Sequence, residues 1–189
     1  PGGAARAPAL PLALFGLLFV LYVGVEAGVG SWMTTHLTDL GVTGAAAWTS
    51  AFWLTVTVGR VLAAPVAQRV PLPTLVTACA VLACGALLLA GTALGPWAYL
   101  LAGVGIAPIF ATSLGWFGQH LPTRLAPIVL ACGGLGGTLF PALLGLLAAR
   151  LGTDALPVGF AVTAALVALV ALVLRAVLAR APRAVSTGA

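Results

Sequence analysis

The sequence predicts an all-α membrane protein with six transmembrane helices, and three observations lead to that prediction. Hydrophobic residues make up 62% of the 189 residues and charged residues only 6%, whereas a soluble domain carries about 25% charged residues. The mean hydropathy is +1.20. Six apolar segments are each about as long as the roughly 20 residues that a spanning helix requires. Strands are not expected, because the alternating pattern of a membrane barrel is missing from the sequence.

Short polar or Pro/Gly-containing breaks separate the six apolar segments. The predicted helices are 10–36, 45–67, 73–92, 97–119, 125–149 and 155–178. The first is too long for the apolar region of a signal peptide, so we interpret it as a retained helix. The predicted organisation is therefore a linker or cytoplasmic segment at 1–9, a six-helix transmembrane domain at 10–180 and a cytoplasmic tail at 181–189.

The charged residues indicate an orientation in the bilayer. Six crossings put both termini on one side of the membrane, and only Arg150 of the eight arginines lies near the other side. The seven arginines on the side of the termini are Arg6, Arg60, Arg69, Arg124, Arg175, Arg180 and Arg183. This bias predicts an inner (plasma) membrane protein with both termini in the cytoplasm. It also explains the net charge of +5 without nucleic acid as a partner.

Other sequence patterns argue against a cofactor. The three cysteines, Cys79, Cys84 and Cys132, all lie inside apolar segments, which is typical of small buried or lipid-facing residues and not of a disulfide framework or metal site. No phosphate-binding Gly-Lys-Ser/Thr loop occurs, since the chain has no lysine. The expected partners are a small-molecule substrate and the lipid bilayer.

Glu26 is the most informative single residue. It lies near the middle of the first apolar segment, where a charged side chain costs about 2.5 to 3.5 kcal/mol on insertion scales. Tyr22 and Gly30 lie one turn to either side on the same helix face. The pattern favours a carboxylate that binds substrate or carries a proton. The alternative is a structural acid that hydrogen-bonds to a neighbouring helix.

The second helix places Thr49, Trp53 and Arg60 on one face, at helical offsets of four and seven residues. Trp53 could stack on a sugar or an aromatic ligand, or it could serve packing alone. Arg60 has two interpretations as well. Either its guanidinium extends to the lipid headgroups and marks topology, or it belongs to the same substrate or proton site as Glu26.

The fourth helix carries Pro108, which removes a backbone hydrogen bond and predicts a kink. Thr112, Trp116 and Gln119 follow on one face, so the segment is a candidate for a moving element that lines a site. The alternative is a kink that only fits the bundle.

The fifth helix carries a flat stripe of small residues at steps of four: Gly133, Gly137, Pro141 and Gly145. Gly134 and Gly136 widen it. The stripe predicts a packing or sliding face, because another helix can approach closely there.

Polarity differs among the six helices. The third and sixth are almost entirely Ala, Val and Leu, and the other four carry nearly all the polar, aromatic and glycine residues. We therefore expect the first, second, fourth and fifth helices to look inward and the third and sixth to face lipid. This pattern predicts two three-helix units, each of which ends in a peripheral helix.

Taken together, these segments resemble the carboxy-terminal half of a major facilitator superfamily transporter, nearest the fucose-permease-like members. Residues 22–32 are similar to the seventh helix of that family, and residues 52–60 to the eighth. Residues 105–108 resemble the tenth helix, and 133–145 the eleventh. The segment 64–69 resembles the loop motif of the family, except that Ala64 replaces its glycine and Gln68 its aspartate.

The resemblance implies one half of a twelve-helix secondary transporter, built from two inverted three-helix repeats. The first and fourth helices would line a central cavity, the second and fifth would meet the other half, and the third and sixth would face lipid. The substrate would bind near the midplane, and the halves would rock against each other. The chain would then be a fragment, or one subunit that pairs with a partner or with itself. The expected protein partner is the amino-terminal half, which would carry the other wall of the site, or a second subunit.

Two other functional classes are alternatives. An autonomous six-helix subunit or scaffold without transport of its own would not require Glu26 or Pro108. An intramembrane protease would need a serine and a histidine that face each other. Ser113 lacks a glycine-serine loop, and both histidines, His36 and His120, lie at helix ends. The chain is therefore not expected to be an enzyme.

Overall fold

Seven α-helices form six spans in the computed structural model, which describes residues 9–180. The helices are α1 Ala9–Asp39, α2 Ala45–Ala67, α3 Leu72–Leu89, α4 Gly95–Ile106, α5 Ile109–His120, α6 Ala126–Leu151 and α7 Leu156–Arg180. Helices α4 and α5 together make the fourth span, and all six spans are long and apolar enough to cross a membrane. The described residues contain no strand. The prediction of an all-helical protein with six spans is therefore confirmed.

Each predicted helix end lies within three residues of the observed one. The linker predicted at 1–9 falls outside the described residues except for Ala9, which begins α1. The tail predicted at 181–189 also lies outside them, and so do Arg6 and Arg183. Between α1 and α2 the chain turns within five residues. Gly41 and Gly44 adopt φ values of 75° and 70°, a backbone conformation that favours glycine.

The fourth span is broken at Ala107 and Pro108, where the sequence predicted a kink. Proline has no N–H to bond the preceding turn, and its ring displaces that turn's carbonyl. Close packing surrounds the break. A Cβ atom at Gly105 would lie 2.8 Å from the carbonyl oxygen of Cys79 in α3, and one at Gly59 in α2 would lie 2.7 Å from the Cβ of Ala107.

Helix α1 lies at the centre of the bundle. Its most extensive contacts are with α6 and α7, and it also contacts α2, α4 and α5. Helix α3 packs against α7 and α4, and α2 packs mainly against α4 and α1. The core between these helices is aromatic and aliphatic, with Phe15, Phe52 and Phe160 all fully buried.

Burial of the spans differs from the inward and outward assignment based on polarity. In the most apolar stretch of each span, 56% and 61% of residues are buried in the first and fourth, but only 11% and 22% in the second and fifth. The third and sixth reach 33% and 44%, because α3 and α7 pack on each other. Polarity could not separate these cases, since an Ala, Val or Leu side chain suits a helix contact and a lipid contact alike.

Candidate functional site

The candidate site lies where α1 and α2 cross near the middle of the first span. Glu26 is 17 residues from the start of α1 and 13 from its end. Its side chain is 13% exposed, whereas the side chain of Arg60 in α2 is 43% exposed. The two charged groups thus meet at the edge of the bundle, one of them mostly covered and the other open.

Three of the predicted site residues form one hydrogen-bonded cluster, which we call the Glu26 cluster: Tyr22, Glu26 and Arg60. The Nη2 atom of Arg60 donates to Oε1 of Glu26 at 2.6 Å and to the hydroxyl oxygen of Tyr22 at 3.3 Å. The Tyr22 hydroxyl donates to Oε2 of Glu26. Both carboxylate oxygens are therefore occupied, one by a cation and the other by a phenol.

This geometry bears on the two interpretations of Arg60 without testing a role in binding. Its guanidinium is directed to α1 and forms an ion pair with Glu26, rather than lying free at the end of α2. For Glu26 the geometry is compatible with both interpretations. The carboxylate does hydrogen-bond to a neighbouring helix, and a group so bonded can still bind substrate or a proton. Opposite charges lower the cost of placing either group in an apolar environment. The pair therefore accounts for two ionisable residues in a chain that has very few.

An aromatic side chain that the sequence interpretation missed forms one wall of the cluster. Phe110, two residues after the break in the fourth span, lies with its ring centroid 6.1 Å from that of Tyr22 and 5.5 Å from that of Phe19. No feature of the local sequence singled it out, because an apolar ring in an apolar span carries no distinguishing pattern. Its position depends on how the kink at Pro108 directs α5 towards α1.

Trp53 of α2 contacts α1 at Gly30, one turn after Glu26. Its ring covers Gly30, where any Cβ atom would overlap the six-membered part of the indole. The residue is 41% exposed, and its ring meets Phe52 edge-on at 5.4 Å. Since Trp53 and Arg60 are seven residues apart on α2, they lie on one face of that helix. An exposed aromatic ring and an exposed guanidinium thus lie on the same face of α2.

The predicted residues of the fourth span lie elsewhere. Trp116 is only 1% exposed, and its ring packs edge-on against Phe15 at 5.4 Å. Thr112 is also buried, and Gln119 is exposed near the end of α5. None of the three forms a hydrogen bond with the Glu26 cluster within residues 9–180. The structure therefore joins three of the seven predicted polar-site residues, places Trp53 nearby against Gly30, and leaves these three apart.

The stripe of small residues on α6 lies against α1. A Cβ atom at Gly133 or Gly137 would contact Val23 at 3.0 or 3.2 Å. One at Gly145 would lie 2.7 Å from the ring of Trp32, whose indole N–H donates to the carbonyl oxygen of Pro141 at 2.9 Å. This face brings the two helices into close contact on the side of α1 away from α2.

The closest approach on that face occurs at a glycine outside the four-residue spacing. Any Cβ atom at Gly136 would overlap the carbonyl of Val20, whereas one at Gly134 would meet open space. The sequence could not distinguish Gly134 from Gly136, because their positions relative to α1 depend on the crossing angle of the helices.

A cleft of about 500 Å³ lies on the face of α2 opposite to Trp53 and Arg60. Its walls are apolar side chains of α2 and α3, together with Val104 and Pro108 of the fourth span. Helix α2 is therefore held by polar contacts on one side and only partly packed on the other.

A second polar pair is buried near the carboxy-terminal end of α1. Nδ1 of His36 lies 3.1 Å from the hydroxyl oxygen of Tyr99, and Nε2 has no hydrogen-bond partner among the described residues. Close by, the hydroxyl of Thr153 donates to Oδ2 of Asp39 at 2.7 Å. These contacts join the end of α1 to the beginnings of the fourth and sixth spans. The sequence indicated only that His36 lies near a helix end.

Within residues 9–180, no three His, Cys, Asp or Glu side chains lie close enough together to hold a metal ion. The three cysteines are free and partly exposed. A scan against models of known protein families finds no match to this chain, and a search of the curated proteins finds none either. The candidate site is therefore interpreted from its own geometry.

Proposed function

We propose that this chain is one half of a secondary active transporter that moves a small solute by alternating access, with a proton carried by Glu26. The observation that carries the proposal is the Glu26 cluster. A carboxylate and a guanidinium from two helices meet near the middle of a membrane span, and the guanidinium is exposed at the edge of the bundle. Intramembrane ionisable groups in such positions mark substrate and proton pathways by default.

The pattern of helix contacts supports two repeats of three helices, as in the major facilitator superfamily that the sequence resembles. The first span packs on the fifth and sixth, and the fourth packs correspondingly on the second and third. The third and sixth pack on each other. Exchanging the first three spans with the last three reproduces this set of contacts, which is what an internal repeat requires.

The sparse burial of the second and fifth spans supports a partner that covers them. Both expose large apolar side chains, including Leu54 and Val61 of α2 and Leu135 of α6. In the proposed assembly these faces meet the amino-terminal half or a second subunit, while other faces contact lipid. The substrate then binds between the halves, beside the Glu26 cluster.

The break at Pro108 allows the fourth span to bend, and the cleft behind α2 leaves space into which that helix can move. Gly59 contacts Ala107 at the break and immediately precedes Arg60. A change in the bend of the fourth span would therefore shift the position of the Arg60 guanidinium. We place the cluster near the middle of the membrane, in the wall of a cavity that opens alternately to each side, with both termini in the cytoplasm as the arginine distribution favours.

The test is proton movement driven by a solute in vesicles that contain the full native protein. The vesicles hold a pH-sensitive dye and are challenged with sugars, carboxylates, amino acids and organic amines in turn. At least one class is expected to acidify the lumen. If uptake is coupled to a proton on Glu26, it rises as the external pH falls, because the proton is then a co-substrate whose concentration outside the vesicles increases.

The variant Glu26→Gln is expected to abolish proton movement and to flatten the pH dependence, while exchange of labelled solute for unlabelled solute persists. Asp39→Asn is the matched control, since Asp39 is the other acid of α1 and lies at its end. An unchanged pH dependence in Glu26→Gln would exclude Glu26 as the proton carrier. If no class moves with folded protein, the transport proposal itself fails.

A separate measurement tests whether this chain is one half of a twelve-helix polypeptide. An antibody raised against residues 181–189 should detect a native polypeptide of about twice the 18.8 kDa of this chain. A band at 18.8 kDa would contradict a fused twelve-helix protein and leave a six-helix subunit that pairs with another chain.

A further inference from the structure

The hydrogen bonds of the Glu26 cluster restrict what can bind there. Both oxygens of Glu26 already accept hydrogen bonds, from Arg60 and Tyr22, and the side chain is only 13% exposed. The Tyr22 hydroxyl donates to Glu26, accepts from Arg60 and is buried. Glu26 and Tyr22 are therefore both engaged and mostly covered, so a molecule that approaches the exposed face of α2 meets little of either side chain.

Arg60 differs from its two partners in this respect. Only its Nη2 atom bonds to the cluster, and Nε and Nη1 form no hydrogen bond with residues 9–180. Its side chain is 43% exposed. A guanidinium presents its N–H groups as a planar fork that matches a carboxylate. The exposed face of α2 thus offers cationic donors, which favours an anionic ligand over a polyol or an amine.

Trp53 supplies the neighbouring surface. One edge of its indole lies on Gly30, and the residue is 41% exposed on the same helix face as Arg60. Seven residues of α helix separate the two positions by about 10 Å. A ligand with a carboxylate at one end and a flat apolar body can therefore reach both groups at once.

We propose that this site takes a monocarboxylate with a planar apolar body, bound by the free edge of Arg60 and by the ring of Trp53, together with one proton on Glu26. This inference rests on the proposed transport function and specifies its substrate class. The charges balance: a carboxylate that joins the ion pair adds one negative charge, and a proton on Glu26 removes it. Substrate and proton therefore bind with positive coupling, each strengthening the affinity for the other.

The test is binding of three acids to the full native protein in detergent, each compared with its own neutral amide. The probes are benzoate, phenylacetate and indole-3-acetate with benzamide, phenylacetamide and indole-3-acetamide. Calorimetry in two buffers of different ionisation enthalpy counts the protons taken up on binding. At least one acid is expected to bind about tenfold or more tightly than its amide, as a charge-assisted pair allows. About one proton is expected to be taken up with it.

Three variants separate the roles. Arg60→Gln is expected to abolish the preference for the acid, and Glu26→Gln to retain binding without proton uptake. Glu26→Gln/Arg60→Gln removes both charges, leaves neither unpaired, and should bind acid and amide equally if folded. Trp53→Ala should weaken acid and amide by the same factor, whereas Trp97→Ala, an exposed tryptophan at the beginning of α4, should leave both unchanged.

The proposal is overturned if none of the three acids binds better than its amide, or if the preference persists in Arg60→Gln. The vesicle assay distinguishes this failure from failure of the transport function. Proton movement driven by a sugar or an amine, but by no carboxylate, would contradict the substrate class and leave proton-coupled transport in place.

Discussion

The two sides of α1 are built in opposite ways. Towards α6 the contact is close and made by glycines, with Gly136 against the backbone of Val20. Towards α2 the contact depends on polar groups, chiefly the pair of Glu26 and Arg60 and a hydrogen bond of 2.7 Å between Thr34 and Thr49. In lipid, where apolar side chains gain little by leaving the solvent, close packing and hydrogen bonds are the forces that remain.

The comparison indicates which interface is fixed and which can move. Backbone contact at the α6 side leaves no space for displacement, because packed interiors resist overlap steeply. On the α2 side, a polar contact can be exchanged for one with a ligand, a proton or water, and a cleft lies behind the helix. We therefore expect α1 and α6 to move as one unit and α2 to change its relation to them.

The largest effect is expected at the fixed interface. Gly136→Leu should lower the free energy of unfolding by about 3 kcal/mol, the upper end for overpacking, because the new side chain would overlap the carbonyl of Val20. Thermal unfolding in detergent measures the change. Gly134→Leu is the matched control, since that position meets open space. Equal destabilisation by both variants would contradict backbone contact at Gly136.

A smaller loss is expected when the ion pair is broken on one side. Arg60→Met should destabilise the protein by about 2 to 3 kcal/mol, since it leaves Glu26 as an uncompensated acid in the membrane. Glu26→Gln/Arg60→Met should recover most of this stability, because no charge then remains unpaired. A double variant as unstable as Arg60→Met alone would indicate that packing of the arginine, and not its charge, stabilises the helix contact.

The smallest effect is expected for Thr49→Val. This change removes the hydroxyl that bonds to Thr34 and preserves the shape of the side chain. The cost should be about 0.6 kcal/mol, the average for hydrogen bonds between membrane helices. Ser50→Ala is a suitable comparison, since that hydroxyl bonds only to the carbonyl of Ala46 in its own helix. A loss above 2 kcal/mol would mean that α2 is held as firmly as α6.

Several features of the site could be predicted from local sequence. Glu26 stands out because a charge in a long apolar segment is rare, and the spacing of Tyr22 and Gly30 follows from helix geometry. Pro108 marks a break because proline cannot continue the backbone pattern. Phe110 could not be identified in this way. Its contact with Tyr22 depends on the direction that α5 takes after the break.

The sequence by itself determined the class of protein, the number of spans and their approximate ends. These properties depend on the length and polarity of continuous segments, which the bilayer constrains directly. The sequence also determined which side chains of each helix share a face, because the helical repeat is fixed.

Only the tertiary structure decided which faces meet. It paired Arg60 with Glu26, placed Trp116 in the core, and put Gly136 rather than Gly134 against α1. It also packed the third and sixth spans on each other. The physical reason is that lipid and protein interior are equally apolar, so hydropathy cannot indicate the partner of an apolar face. That choice depends on the fit of surfaces far apart in the chain.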